Sequence, residues 1–367
     1  MQKIKIIVSG GGTGGHIFPA ISIANALKAK RSDIEILFVG ADGKMEMEKV
    51  PAAGYKIIGL PIRGLQRNFS KENLKFFSRL FKSLRKAKKI IKEFKPDAVV
   101  GVGGYASGPL LHSANKMGIP SLIQEQNSYA GITNKLLAKK ANKICVAYQG
   151  MEKFFPSEKI LMTGNPVRKD LVNLENLRLN AQQFFNLDPN KKTLLVVGGS
   201  LGARTINNSI IENIEAFKNK SIQVIWQCGK FYHKEMEEKL AKANIENVQM
   251  SAFLSRMDLA YAAADLVISR AGAGTISELC LVKKACILVP SPNVSEDHQT
   301  KNAMALVNQK AAIMISDADS REKLVNEALL LINNESELEN LRKHIALLAK
   351  PNAADEIADE ILKMIKH

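Results

Sequence analysis

The octapeptide Ser9-Gly10-Gly11-Gly12-Thr13-Gly14-Gly15-His16 joins a run of glycines to two hydroxyls and one imidazole. Glycines let backbone N–H groups come close to a ligand, and a helix that starts behind them adds positive potential. Such a turn suits a phosphate or a sugar. His16 stands at its lip, and an imidazole titrates near neutrality, so it can take a proton from a bound hydroxyl. A plain strand–helix turn capped by a histidine fits the same residues. A glycine spacing of this kind is by itself only a weak sign of a dinucleotide.

Further polar stretches have the same character. Gly101-Val102-Gly103-Gly104-Tyr105-Ala106-Ser107-Gly108-Pro109 is a second glycine turn able to cradle an anion. Gln124-Glu125-Gln126-Asn127 is a polar cluster suited to sugar hydroxyls, with Glu125 a second-choice base, an orienter of His16 or a helix cap. Gly198-Gly199-Ser200 opens a helix and reads as a diphosphate seat. Ser269-Arg270-Ala271-Gly272-Ala273-Gly274-Thr275-Ile276-Ser277-Glu278 offers small residues, two hydroxyl donors and a carboxylate matched to the vicinal hydroxyls of a ribose. Thr275 and Glu278 also have capping-box spacing. Gln299 and Asn302 carry neutral amides, better matched to sugar hydroxyls than to phosphate. Asp317-Ala318-Asp319 has the D-x-D shape of a divalent-metal site, but it precedes a helix and reads as an N-cap. No other acidic or histidine cluster has metal spacing.

These stretches need a scaffold that brings turns together. Apolar, β-branched runs at Ile4–Val8, Glu35–Gly40, Tyr55–Leu60, Asp97–Val100, Ser121–Ile123, Lys143–Val146 and Ile160–Met162 alternate with helical segments. That is the βαβ rhythm of a doubly wound parallel sheet, which binds ligands where its strands end. The rhythm breaks at a hinge-like Thr163-Gly164-Asn165-Pro166-Val167-Arg168 and restarts at Thr193–Val197. Strands then follow at Gln223–Trp226, Val248–Met250, Leu266–Ile268, Ala285–Val289 and Ala312–Ile315. A second strand, glycine turn and helix half a chain after the first predicts two similar α/β domains facing across a cleft. The expected division is 1–163, 164–350 and a last helix, 351–367, that crosses back to the first domain.

Composition bounds the rest. A chain that is 46% hydrophobic and 24% charged fits a soluble globular protein, and no apolar run approaches the roughly 20 residues of a membrane span. The N-terminus runs straight into a strand, with no signal peptide. Cys145, Cys228, Cys280 and Cys286 lack metal or redox spacing and read as buried thiols in a reducing compartment. A net charge of +16 favours polyanionic partners. Much of it lies in Ser70–Phe94, where Leu74, Phe77, Leu80, Phe81, Leu84, Ala87 and Ile91 form an apolar face. Lys75, Arg79, Lys82, Lys86 and Lys89 form a stripe, and Phe69, Phe76 and Phe77 are candidate wedges. A peripheral contact with anionic lipid and an ordinary solvated helix both fit. A nucleic-acid patch does not, since no base-stacking module accompanies it.

Ser9 to Pro19, Gly101 to Pro109, Glu125 to Asn127, Thr163 to Arg168, Gly198 to Arg204, Ser269 to Glu278 and Asp297 to Asn302 together resemble glycosyltransferase family 28, along nearly the whole chain. The resemblance implies a GT-B fold. It implies inverting transfer of N-acetylglucosamine from UDP-GlcNAc to an undecaprenyl-diphospho-MurNAc-pentapeptide, for peptidoglycan synthesis, at the cytoplasmic face of the inner membrane. By similarity Thr13, Gly14, Gly15, Asn127, Arg168, Ser200, Leu254, Ala273, Gly274, Thr275, Ile276, Ser277, Glu278 and Gln299 match donor-binding positions. On both readings the acceptor diphosphate sits on the first domain's turns, with Gly103, Gly104, Tyr105 and Ser107, and no metal or other cofactor is obligatory. The family often has His where this chain has Gln124, and Gln where it has Leu201. A UDP-GlcNAc 2-epimerase and a non-catalytic UDP-sugar-binding module are the rival readings.

Overall fold

A computed structural model describes residues 3–64, 71–168, 171, 174–199, 201–218 and 220–365, without the side chains of 71–75, 175 and 295. The chain forms two compact units, residues 1–168 with 352–367, and residues 169–351.

Unit 1 alternates strands and helices in the order β1 (Lys5–Ser9), α1 (Gly14–Lys30), β2 (Glu35–Ala41), α2 (Glu46–Ala52), β3 (Lys56–Leu60), α3 (Lys71–Phe94), β4 (Ala98–Gly101), α4 (Ser107–Lys116), β5 (Ser121–Glu125), α5 (Ile132–Leu137), β6 (Lys143–Val146) and β7 (Ile160–Met162). The strands are parallel, in the order β3-β2-β1-β4-β5-β6-β7. Because side chains alternate across a strand, β1 sends Ile6 and Val8 to one face and Ile7 to the other. β4 does the same with Ala98 and Val100 against Val99. Each face is buried by helices, which is why these strands read as continuous apolar runs. Each fully buried Ile or Val contributes about 1.5–3 kcal/mol.

Unit 2 holds α6 (Arg178–Phe184), β8 (Lys192–Val197), α7 (Arg204–Glu212), β9 (Ile222–Gln227), α8 (His233–Ala243), β10 (Val248–Ser251), α9 (Met257–Ala263), β11 (Leu266–Ser269), α10 (Ala273–Leu281), β12 (Cys286–Leu288), α11 (His298–Val307), β13 (Ile313–Met314), α12 (Ser320–Ile332) and α13 (Glu335–Ala346). Its parallel sheet runs β10-β9-β8-β11-β12-β13. The last helix, α14 (Ala353–Ile365), belongs to unit 1: Ile357, Ala358 and Ile361 join the α1 side of the core, and Asp359 pairs with Lys30 at 2.8 Å.

The strands fall where the apolar runs place them, with ends shifted by a residue or two. One shift matters. β5 continues through Gln124 and Glu125, which read as a polar cluster beyond the strand, because they pair with Cys145 and Val146 of β6. The Gly164-Asn165-Pro166 segment, just ahead of the boundary between the units, is buried. Asn165 accepts from Gln124 Nε2 at 2.9 Å and donates to Gln126 O at 3.0 Å, which ties the segment to the end of β5. All four cysteines are buried and unbridged, and burial pushes Cys145 and Cys280 up to about 12. Among the described residues no helix is long and apolar enough to cross a membrane.

Candidate functional site

In unit 1 the strand order reverses between β1 and β4, and the two glycine turns lie at that switch point. Thr13 caps α1 in an extended conformation, and its carbonyl accepts from the backbone N–H of His16 at 3.1 Å. Its side chain is exposed, as is Gly15, with Gly14 half-buried. His16 Nδ1 lies 3.1 Å from Gly11 O. A carbonyl only accepts, so the neutral tautomer that fits this contact carries its proton on Nδ1 and leaves Nε2 as the acceptor nitrogen. Thr13 Oγ1 approaches the same Nδ1 at 3.4 Å. The imidazole lies against Gly103, where an added Cβ would stand 2.7 Å from its Cδ2. Gly104 has φ +86°, and a Cβ there would overlap Gly11 O, so the two turns touch through bare backbone.

The remaining predicted residues of unit 1 divide into presented and bracing groups. Tyr105 is exposed beside this contact, with its ring over Gly64. Ser107 is fully buried: its hydroxyl lies 2.8 Å from Gly103 O and 3.0 Å from Ser9 O, so it fastens the two turns instead of facing a ligand. Glu125 is buried and both its oxygens are engaged. Oε1 accepts from Asn127 N at 3.1 Å and Asn127 Nδ2 at 3.3 Å; Oε2 accepts from Gly131 N at 3.0 Å and Asn134 Nδ2 at 2.8 Å. A carboxylate spent on four donors shapes its own turn and orients Asn127. Of the roles open to Glu125, this geometry favours the capping one. Gln124, buried beneath it, accepts from Gln126 Nε2. Arg168 is half-buried at the end of the unit.

In unit 2 the switch point lies between β8 and β11. Ser200 lies outside the described residues. The rest of its turn is held tightly, since Gly202 has φ +81° and a Cβ there would overlap Cys228 O at the end of β9. Gln227, buried, donates to Gly199 O at 3.0 Å and accepts from Leu254 N at 2.9 Å, which links the turn after β8 to the loop after β10. Leu254, with Phe184, Phe253 and Arg256, lines a pocket of about 270 Å³.

After β11, Gly272 caps α10 with Ala273, Gly274 and Thr275 in its first turn. The capping box does not form. Glu278 lies further along the helix, where Oε2 accepts from Tyr261 OH at 3.0 Å, and Ser277 donates to Ala273 O at 2.9 Å. Ile276 is buried beneath. Gln299 accepts from Ser291 N at 2.8 Å through Oε1, and Asn302 is fully buried. Asp317 does not cap α12. It pairs with Arg270 Nη1 at 2.5 Å and accepts from Thr205 Oγ1 at 3.0 Å. Arg270 Nη1 also donates to Val289 O and Pro290 O, both at 3.1 Å, and so fastens the ends of β11, β12 and β13. Asp319 sits at the cap position, but its carboxylate accepts from Ser316 Oγ at 2.8 Å. Among the described residues no His, Cys, Asp and Glu group could hold a metal ion.

On α3, Phe77 is 72% exposed and Phe81 54% exposed, with the Arg85 guanidinium 4.3 Å from the Phe81 ring centre. Lys82, Lys86, Lys88 and Lys89 are exposed around them. Two large apolar rings among surface cations make a lipid-facing stripe chemically workable. Arg67, Phe69 and the side chains of Leu74 and Lys75 lie outside the described residues.

Sequence reasoning missed three residues that shape these sites: Gln227, Arg270 as a brace, and Glu46. Glu46 is fully buried at the start of α2, with Gly12 N donating to it at 2.9 Å and Ala41 N at 2.9 Å. In the sequence it sits in a charged segment and reads as solvent-facing.

Models of the glycosyltransferase family 28 N-terminal and C-terminal domains match residues 6–146 and 193–359. A Parabacteroides distasonis protein named UDP-N-acetylglucosamine--N-acetylmuramyl-(pentapeptide) pyrophosphoryl-undecaprenol N-acetylglucosamine transferase is 60% identical over 365 residues, covering 100% of this chain and 99% of its own. The crystal structure of Acinetobacter baumannii MurG matches with TM-score 0.80 and 28% identity, over 99% of this chain and 100% of the other. A UDP-GlcNAc 2-epimerase from Neisseria meningitidis matches with TM-score 0.68 at 16% identity, over 98% and 100%, which shows a shared fold alone.

Proposed function

The chain belongs to glycosyltransferase family 28, and from that premise we propose that it transfers N-acetylglucosamine from UDP-GlcNAc to a pyrophosphoryl-undecaprenol-linked N-acetylmuramyl-pentapeptide. The observation that carries the reading is the imidazole of His16, set between two touching glycine turns with Nε2 as its acceptor nitrogen. Nε2 takes the proton of the acceptor hydroxyl. The freed oxygen attacks C1 of the sugar from the face opposite UDP, the C1–O bond breaks, and its electron pair leaves on UDP. The anomeric configuration inverts.

Unit 2 takes the donor: Glu278 holds the ribose hydroxyls, the Gly198–Gly202 turn and the start of α10 take the diphosphate, and the loop at Leu254 takes the base. Backbone N–H groups and helix termini stabilise the leaving charge with no obligatory metal. Transfer abolished by EDTA and restored by Mg²⁺ would remove that part of the reading. Unit 1 takes the acceptor diphosphate on its glycine turns beside Tyr105, and the α3 stripe rests on anionic lipid at the cytoplasmic face of the inner membrane.

UDP release measured with and without the lipid-linked acceptor tests the whole scheme. Release should require the acceptor. Conversion of UDP-GlcNAc to its 2-epimer without acceptor identifies an isomerase, and UDP binding with no release identifies a binding module.

A further inference from the structure

We infer that Glu46 is a positioning residue for His16, acting through one peptide bond. The Gly11–Gly12 peptide carries both contacts. Its N–H, on Gly12, donates to Glu46 Oε2 at 2.9 Å, and its C=O, on Gly11, accepts from His16 Nδ1 at 3.1 Å. Carboxylate, peptide and imidazole therefore form one chain of hydrogen bonds, with the carboxylate at the buried end.

The surroundings are built for it. Glu46 is 0% exposed, and its other oxygen accepts from Ala41 N at 2.9 Å. A Cβ at Gly11 would overlap its carboxyl group, and one at Gly40 would stand 2.5 Å from its Cγ. Two glycines on separate strand ends thus make room for a single side chain. A buried carboxyl group is costly unless its acceptors are satisfied, and here both are. Aligned hydrogen bonds polarise one another by about 10–30% per bond. That is too little to remake the basicity of an imidazole. It is enough, with fixed geometry, to keep the Gly11 carbonyl a good acceptor and the ring in the Nδ1–H tautomer. Glu46 touches neither donor nor acceptor substrate in this scheme; it aims the nitrogen that does.

The inference rests on the reading of His16 as the base, and the test separates the two. In the full chain with ¹⁵N-labelled histidine, the His16 ring signals are assigned by their loss in His16→Asn. Above its titration the wild-type ring should show the Nδ1–H pattern; an Nε2–H pattern overturns the inference. Glu46→Gln sets an amide donor against one of the two N–H groups. It should mix the tautomers and lower kcat roughly 10- to 100-fold, within what a general base contributes, while the KM for UDP-GlcNAc stays constant. A folded Glu46→Gln chain with unchanged His16 signals overturns the inference. If that variant fails to fold, the wild-type tautomer decides. Should His16→Asn keep full activity, the base reading falls, and the ring signals still decide the link to Glu46.

Discussion

The two units place glycine turns at the same topological position and finish them differently. In unit 1 the turns that flank the switch point, after β1 and β4, touch through Gly11 and Gly104 and carry an imidazole. In unit 2 the touching turns lie one strand away, after β8 and β9, where Gly202 meets Cys228 O. The turns flanking the unit 2 switch point are anchored separately: the one after β8 by Gln227, the one after β11 by Arg270 and Asp317. The difference teaches that one sheet plan serves two purposes. Unit 1 presents an imidazole from a tight backbone wedge, whereas the unit 2 turns are held by side-chain braces.

Removing the imidazole breaks the comparison most directly. His16→Ala should lower kcat by about 10²- to 10⁴-fold, the contribution of a positioned general base, with the KM for UDP-GlcNAc unchanged. A smaller loss in a steady-state assay would mean that unit 1 only holds its ligand. Next in size is the cationic helix α3 of unit 1. Reversing Arg79, Lys82 and Lys86 to Glu should weaken sedimentation with anionic vesicles by 100-fold or more, at about 1 kcal/mol per cation near the surface. Added salt should weaken the wild type similarly. Unchanged partitioning would leave α3 as an ordinary solvated helix.

The glycine wedges give a paired test of intermediate size. Gly104→Ala and Gly202→Ala each force a Cβ onto a carbonyl at positive φ, a strain of about 1–3 kcal/mol. Gly104→Ala should raise the KM of the lipid acceptor and spare that of UDP-GlcNAc; Gly202→Ala should do the reverse. If both variants shift the same constant, the division of labour between the units is wrong.

The strands, their alternation with helices and the two glycine-rich centres were legible in the sequence, because each is a local pattern of period and composition. The bracing was not. Arg270 meets Asp317 from 47 positions away, Gln227 joins Gly199 to Leu254 across three strand ends, and Glu46 reaches Gly12 across 34 positions. Sheet register creates these pairs, and no local signal separates Glu46 from its exposed neighbour Glu48. For a related reason the local sequence could not choose among the roles open to Glu125. Its role depends on four donors brought round by a turn. The D-x-D stretch does supply the N-cap position of α12, through Asp319, while Asp317 is taken by the half-buried Arg270.

The smallest effect lies at the opposite, N-terminal, ends of the unit 2 strands. There Asp265 accepts from Thr193 N at 2.7 Å and pairs with Arg178 at 3.1 Å, while Lys284 donates to Ala264 O at 2.7 Å. Burial pushes the Lys284 ammonium down to about 8, against the opposing pull of Asp265. In the unfolded chain a lysine titrates near 10.4. Between those values the unfolded state holds more protons, so stability must rise with pH. Below about pH 8 both states are charged and the cost of burying the ammonium is present in full. Lys284→Met should therefore stabilise the chain at pH 7 by about 1 kcal/mol, what is left of a burial cost of about 3 kcal/mol once the lost bond to Ala264 O is deducted. Its advantage should shrink as pH climbs from about 8 to about 10.5, read from urea unfolding of both chains at each pH. An advantage that grows with pH would reverse the sign and place the proton on the wrong state.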